Sequence, residues 1–300
     1  MLGKSITIIG GSGGMGKVFG RLFQKYGFEI TLFARNEEKL TQTAIGLDMK
    51  YSLDLEECVK KADIIMVSIP ITSTSQMIKK IAPLMKKDAI LFDITSLKIK
   101  VYNILQDMCS KYPINCLSLH PMFGPGIEDM KNYVMITIKV GGTNNYNLLI
   151  EELFSIFQSE GLLIIITTPE EHDKTMALTL AVPHMVNILY LTLLKQSGIP
   201  LNELTRFTGT TFLLQKVFAE SIIQREMEMF GEIQMENMEF YKILDIFEEV
   251  VNKYKKIIQS KDKNAFNNIF QEGLEYSRED NHFKNSYKYF YEFMKILKNQ

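Results

Sequence analysis

A chain of 300 residues with 46% hydrophobic content is long enough to fill two cores of ordinary size. Its 34 basic and 35 acidic residues leave a net charge of −1, which excludes a polyanion groove and, with it, nucleic acid as a partner. Cys58, Cys109 and Cys116 are odd in number and lack metal-ligand spacing, so they read as reduced thiols of a cytoplasmic protein in which no metal is expected. The amino terminus runs straight into a strand without a signal-peptide pattern.

That strand, Ser5 to Gly10, leads into Gly11-Ser12-Gly13-Gly14-Met15-Gly16, which holds G-x-G-x-x-G as Gly11, Gly13 and Gly16. Met15, Val18, Phe19, Leu22, Phe23 and Tyr26 then recur at helical spacing, and Glu29 to Phe33 reads as a second strand. Strand, glycine turn, helix and strand in this order predict a βαβ dinucleotide site. Gly11, Ser12, Gly13, Gly14, Met15 and Gly16 then surround a pyrophosphate, because glycines allow a sharp turn and a close backbone approach. Amides around Gly14 and Met15 face the phosphate charge at the positive end of the helix. At the end of the second strand an acidic side chain ordinarily accepts hydrogen bonds from the ribose of NAD. This chain has Phe33-Ala34-Arg35-Asn36 there, and a guanidinium in place of the acid favours NADP, with NAD as the alternative.

The alternation continues. Asp54 to Lys61 reads as a short helix and Asp63 to Ser68 as a buried strand ended by Pro70, with Ile69 and Pro70 as further cofactor contacts. A helix through Met77, Ile81 and Met85, a strand from Ala89 to Phe92 and a helix with Val101, Ile104, Leu105 and Met108 follow. Strands at Cys116 to Leu119, Tyr133 to Val140 and Leu162 to Thr167, with a helix from Tyr146 to Gln158, complete the pattern. This is an α/β chain with a doubly wound parallel sheet of the Rossmann type. At Thr168-Pro169-Glu170-Glu171 a capping threonine and a proline in the first helical position open a purely helical part. Its helices are expected at 169–197, 201–206, 211–229, 232–260, 262–278 and 283–298. The domains are therefore set at 1–168, binding NADP, and 169–300, for substrate and dimerisation. Met176 to Leu194 is nearly uncharged and about long enough to span a bilayer. With Pro183, His184 and Asn187 inside it, we expect it to be buried in a core or at the interface of a homodimer, and expect no membrane partner.

Ligands of open α/β sheets bind outside the carboxyl ends of the strands. Two polar clusters fall there: Asp93-Ile94-Thr95-Ser96-Leu97-Lys98, and His120-Pro121-Met122-Phe123-Gly124-Pro125-Gly126. Ser96 also reads as a helix N-cap. His120 can take a hydroxyl proton near neutral pH while hydride leaves the same carbon.

These two clusters, the glycine loop, and Thr168-Pro169-Glu170-Glu171-His172-Asp173 followed by Ala177 and Pro183-His184 together resemble the prephenate and arogenate dehydrogenases of tyrosine biosynthesis. The resemblance covers the chain from its start to about His184. It implies oxidative decarboxylation of prephenate to 4-hydroxyphenylpyruvate with hydride transfer to NADP or NAD, with His120 as the base and Ser96 as its partner near the substrate hydroxyl. It also implies that His184 contacts the substrate, while His172 and Asp173 hold the start of a helix. Family members usually place an arginine where the ungapped reading gives Ser221. Arg225, one turn further on, is the chosen substitute for binding a substrate carboxylate, with Lys216 and Arg206 as alternatives. Arogenate as substrate, another NADP-linked dehydrogenase of hydroxy acids or imines, and an NADP-sensing regulator without turnover are the competing readings. A reductase would need a catalytic lysine on the first long helix, and Lys174 and Lys195 sit in no recognisable motif.

Overall fold

In the computed structural model, which describes residues 3–298, the chain forms two units, Met1–Met176 and Ala177–Gln300. The first is built on eight strands: β1 Ser5–Ile9, β2 Glu29–Phe33, β3 Lys50–Ser52, β4 Ile64–Val67, β5 Ile90–Asp93, β6 Asn115–Pro121, β7 Val134–Gly141 and β8 Leu163–Ile166, in the order β3-β2-β1-β4-β5-β6-β7-β8. Period-two alternation decides which side chain enters which core. Ile64 and Met66 of β4 and Ile90 and Phe92 of β5 join one apolar cluster with Phe19, Phe23 and Phe157. Ile65, Val67 and Leu91 point the other way and pack with Ile78, Val101 and Leu105. Central strands buried on both faces are what near-continuous apolar runs encode.

The sheet departs from the parallel expectation at one ladder. β6 and β7 pair antiparallel, with His120 opposite Ile136 and Pro121 opposite Met135. The segment 122–133 between them contains no helix, and without a crossover element the chain can only return antiparallel. Pairing with β7 also extends β6 through Pro121, so His120 belongs to the strand rather than to the loop after it.

Helix α1 (Gly14–Lys25) follows the glycine loop, α2 (Glu37–Leu47) follows β2, α3 (Leu55–Lys61) precedes β4, α4 (Ile71–Ile81) precedes β5, α5 (Ile99–Lys111) precedes β6 and α6 (Tyr146–Ser159) precedes β8. The run expected at 169–197 is α7 (Pro169–Met176), a five-residue π turn at Ala177–Ala181, and α8 (Val182–Gln196). Pro183 has no N–H to donate to the preceding turn and its ring crowds the carbonyl four residues back, so the regular α pattern is interrupted beside it. The division between the units follows Met176, past the Thr168 read from the sequence. Hydrogen bonds from Lys98 and Ile99 to Asp173 tie α7 to the sheet unit.

The second unit continues with α9 (Leu201–Arg206), α10 (Thr210–Ile223), α11 (Met227–Met235), α12 (Met238–Ser260), α13 (Lys263–Ser277) and α14 (Ser286–Lys298). The helix expected over 232–260 is broken at Asn237, whose side chain accepts from the Glu239 amide and starts α12.

Candidate active site and its relatives

The carboxyl ends of β1, β4, β5 and β6 lie side by side because β1 pairs with β4 where the strand order reverses, the crevice position of dinucleotide folds. At the end of β1 the amides of Gly10 and Gly11 donate to the Phe33 carbonyl at 2.8 and 3.1 Å, which bends the chain toward α1. Gly10 has φ +87°, and a Cβ there would lie 2.0 Å from the Ser68 carbonyl oxygen, so no other residue fits. A Cβ at Gly16 would lie 2.6 Å from the Gly10 carbonyl oxygen, which is the close packing of helix on strand that the motif serves. Gly13 is the N-cap of α1, and no side chain among the described residues caps this helix, so its first-turn amides at Gly14, Met15 and Gly16 remain open to an anion. Ser12 is buried in the loop. Ile69 and Pro70 stand between β4 and α4, with Pro70 as the N-cap of α4. Arg35 is exposed in the turn between β2 and α2 and has no acidic partner among the described residues. These residues and the donors they present fit the pyrophosphate and ribose end of a dinucleotide.

The loop after β6 adjoins this cradle: a Cβ on Gly14 would fall 2.8 Å from Cβ of Pro125. Behind it, β5 and β6 carry a buried polar network. Lys98 is fully buried, and its Nζ donates to Asp93 Oδ2 at 2.8 Å and to the Leu119 carbonyl at 2.6 Å. The Asp93 carboxylate also accepts from the amide and hydroxyl of Thr95 and from the Ser118 hydroxyl. A buried charge pair survives only when its remaining lone pairs and protons are matched in this way. Burial lowers the pKa of Lys98, and the Asp93 carboxylate opposes that shift.

His120 lies directly on this network, 5% exposed. Its Nδ1 is 2.8 Å from Nε2 of His172 on α7, and His172 Nδ1 is 2.7 Å from Asp173 Oδ1. Asp173 in turn accepts from the backbone amides of Lys98 at 2.8 Å and Ile99 at 3.0 Å. Burial, then the neighbouring His172, then the Lys98 charge hold the pKa of His120 well below 6.5. His172 is lowered too, by burial first, against the opposing hydrogen bond to Asp173. Both imidazoles are therefore neutral near pH 7, the state that a general base requires.

Two expectations about this region change. Ser96 does not cap α5, which has Lys98 as its N-cap residue; the amides there are met by Asp173 from α7. The Ser96 hydroxyl is half-buried, and no hydrogen bond joins it to His120 among the described residues. His172 and Asp173 do hold the start of a helix, but the helix is α5. They also extend to His120, a contact 52 residues apart in sequence.

The helical unit brings together His184 on α8 and Arg225 after α10. Burial lowers the His184 pKa to about 4, and the charge of Arg225 adds to that shift. His184 stacks edge-on against Phe230 at 4.7 Å, and its Nδ1 is buried without a hydrogen-bond partner among the described residues. Of the three basic candidates, Lys216 is held by Glu220 at 3.7 Å and Arg206 by Glu203 at 3.0 Å. Arg225 is exposed and has no acidic partner among the described residues. Ser221 donates to the Phe218 carbonyl on its own helix.

A cavity of about 390 Å³ lies elsewhere, at the amino ends of the strands, lined by Lys4, Asp63, Lys86, Asp88 and Glu152. Lys86 and Asp63 are already paired at 2.9 Å, so that cavity offers an incoming charge little.

Residues 19–135 match the family model described as prephenate dehydrogenase, nucleotide-binding domain, and residues 168–272 match that described as prephenate dehydrogenase, dimerization domain. A prephenate dehydrogenase of Lactococcus lactis is 30% identical over 258 residues, covering 82% of this chain and 68% of the relative. The chain belongs to the prephenate dehydrogenase family. A probable arogenate/prephenate dehydrogenase of Methanocaldococcus jannaschii is 28% identical over 275 residues, 91% of this chain and 60% of the relative. The chain thus spans 60–68% of the length of these two relatives. The fold is that of the Aquifex aeolicus prephenate dehydrogenase solved with hydroxyphenyl propionate and NAD+, at TM-score 0.75 and 19% identity over 93% of this chain and 99% of that one. Within the family match, the nucleotide-binding model spans Arg35, Ser96 and His120 but starts beyond the glycine loop. The dimerization model spans His172, His184 and Arg225.

Proposed function

We propose that this chain oxidatively decarboxylates prephenate to 4-hydroxyphenylpyruvate with NADP as hydride acceptor. The observation that carries the reading is His120, a buried neutral imidazole at the carboxyl end of β6, beside a glycine loop fit for a dinucleotide. The first-turn amides of α1 and Ser12 would hold the pyrophosphate, and Arg35 would meet a ribose phosphate with its planar donors. When bound, a nicotinamide would supply the hydride acceptor for the ring carbon bearing the hydroxyl. His120 removes the hydroxyl proton as that carbon becomes a carbonyl, and the half-buried Ser96 hydroxyl supports the same oxygen. Loss of the ring carboxylate as carbon dioxide sends the electron pair of the broken bond through the ring to the carbonyl oxygen, which takes the proton back from His120 to give the phenol, so the chain's task is mainly to position and to hold one proton. Arg225 binds a substrate carboxylate beside His184. Arogenate would need the same ring chemistry, and its amino group would meet Arg225 less favourably than the keto acid of prephenate does.

The exposed apolar surface of the helical unit supports a homodimer. Pro169–Gln196 is long and apolar enough by length and composition to cross a membrane, and within this chain only 17% of its most apolar stretch is buried. The chain's own core therefore does not cover it, and a second copy placed on this face would. The function is tested by following cofactor reduction with prephenate and with arogenate, each with NADP and NAD. Fastest turnover with prephenate and NADP supports the proposal, and turnover of neither substrate refutes it.

A further inference from the structure

The chain of contacts from Asp173 through His172 to His120 has a direction that the hydrogen-bonding chemistry alone determines. Both Asp173 oxygens accept backbone N–H groups, Oδ1 from Lys98 and Oδ2 from Ile99, so this carboxyl sits where only an acceptor is satisfied. His172 must then place its proton on Nδ1 to donate to Asp173 Oδ1. A neutral imidazole has one N–H, so His172 Nε2 is an acceptor, and the 2.8 Å contact is satisfied only if His120 carries its proton on Nδ1. That leaves the lone pair of His120 on Nε2, an atom with no hydrogen bond among the described residues.

We infer that His172 and Asp173 are positioning residues that fix the tautomer of His120, keeping Nε2 unprotonated as the basic atom. The relay spans α7, the turn before α5, and β6, all within the sheet unit, so α7 serves the base as well as the fold. The tautomer inference stands on these contacts and on both rings being neutral; its kinetic consequence rests on the dehydrogenase reading proposed above. The charged groups around the pair are Asp93 on β5, Lys98 before α5 and Asp173 on α7. The Lys98 cation disfavours a second proton on either ring.

The test begins with the full-length wild type labelled with nitrogen-15. The chain has four histidines, so the ring signals can be assigned by single substitutions. The expected spectrum shows His120 protonated at Nδ1 and bare at Nε2 near pH 7; the opposite tautomer, or an even mixture, overturns the inference whatever the activity. His172→Phe keeps a ring of similar volume but removes the acceptor. It should shift His120 toward the Nε2-protonated form and lower kcat about ten- to a thousand-fold with KM for prephenate little changed, a smaller loss than the roughly 10²–10⁴ expected on removing the base itself. His172→Gln, whose amide oxygen can accept in place of Nε2, should restore the tautomer and much of kcat. Equal kcat in His172→Phe and wild type, or no recovery in a folded His172→Gln, contradicts it. If the wild type turns over neither prephenate nor arogenate, the functional proposal fails while the spectrum still decides the tautomer.

Discussion

Single residues carry the proposed chemistry: His120 as the base and Arg35 as the partner of the cofactor's phosphate. His120→Asn should lower kcat by about two to four powers of ten with little change in NADP affinity, measured by steady-state kinetics and cofactor titration. Because the pKa of His120 is held below 6.5, the free base persists into mildly acidic solution. The acid limb of the kcat/KM profile should therefore fall below pH 6.5, since activity is lost only as His120 takes a proton; a limb above pH 7 would assign it to another group. Arg35→Asp should weaken NADP far more than NAD, because it replaces a phosphate donor with a like charge. Arg225→Ala should raise KM for prephenate sharply and leave that for NADP alone, while Lys216→Ala and Arg206→Ala, whose cations already have carboxylate partners, should change it little. The reverse pattern would move the carboxylate site. His120 is legible in the sequence because a lone histidine ends an apolar strand and is followed by prolines and glycines. The contact of His172 with it is not, since the two lie 52 residues apart and no local spacing encodes that pairing. The orphaned Nδ1 of His184 is likewise visible only once α8 and Phe230 are packed together.

At the scale of elements, the buried Asp93–Lys98 pair joins β5, β6 and the start of α5. Asp93→Ala leaves a fully buried ammonium without its counter-charge and should destabilise the fold by about 3–5 kcal/mol in urea unfolding. Asp93→Ala combined with Lys98→Met should recover a large part of that loss. A cost of less than about 1 kcal/mol for Asp93→Ala alone would show that Lys98 is neutral or hydrated. The strands with apolar side chains on both faces are readable to within a residue or two, because nothing but a central strand buries Ile64 through Val67 on both sides. β3 escapes notice because Lys50-Tyr51-Ser52 is a three-residue, mostly exposed edge with no alternation to detect. The antiparallel ladder escapes for a different reason: strand direction depends on the connection, and the 122–133 segment declares itself only by lacking a helix. The break at Asn237 falls within a continuous amphipathic pattern, where the asparagine's capping bond outweighs helix continuation.

At the scale of the molecule, two readings join: a dinucleotide unit bearing a base, and a helical unit with more apolar surface than its own core covers. Leu189, Leu193, Phe207 and Phe218 are all more than a third exposed. A chain of this kind should sediment as a homodimer at micromolar concentration, and Leu193→Glu should shift it toward monomer. A wild-type monomer with full activity would leave the apolar face unexplained. The central claim, that this chain couples hydride transfer to loss of a carboxylate, is tested most directly by stoichiometry. Purified protein is mixed with limiting prephenate and excess NADP, and NADPH, carbon dioxide and 4-hydroxyphenylpyruvate are each quantified. The account predicts that the three appear in equal amounts and that His120→Asn suppresses all of them together. Cofactor binding without NADPH formation from prephenate or arogenate would contradict it and favour a nucleotide-sensing role.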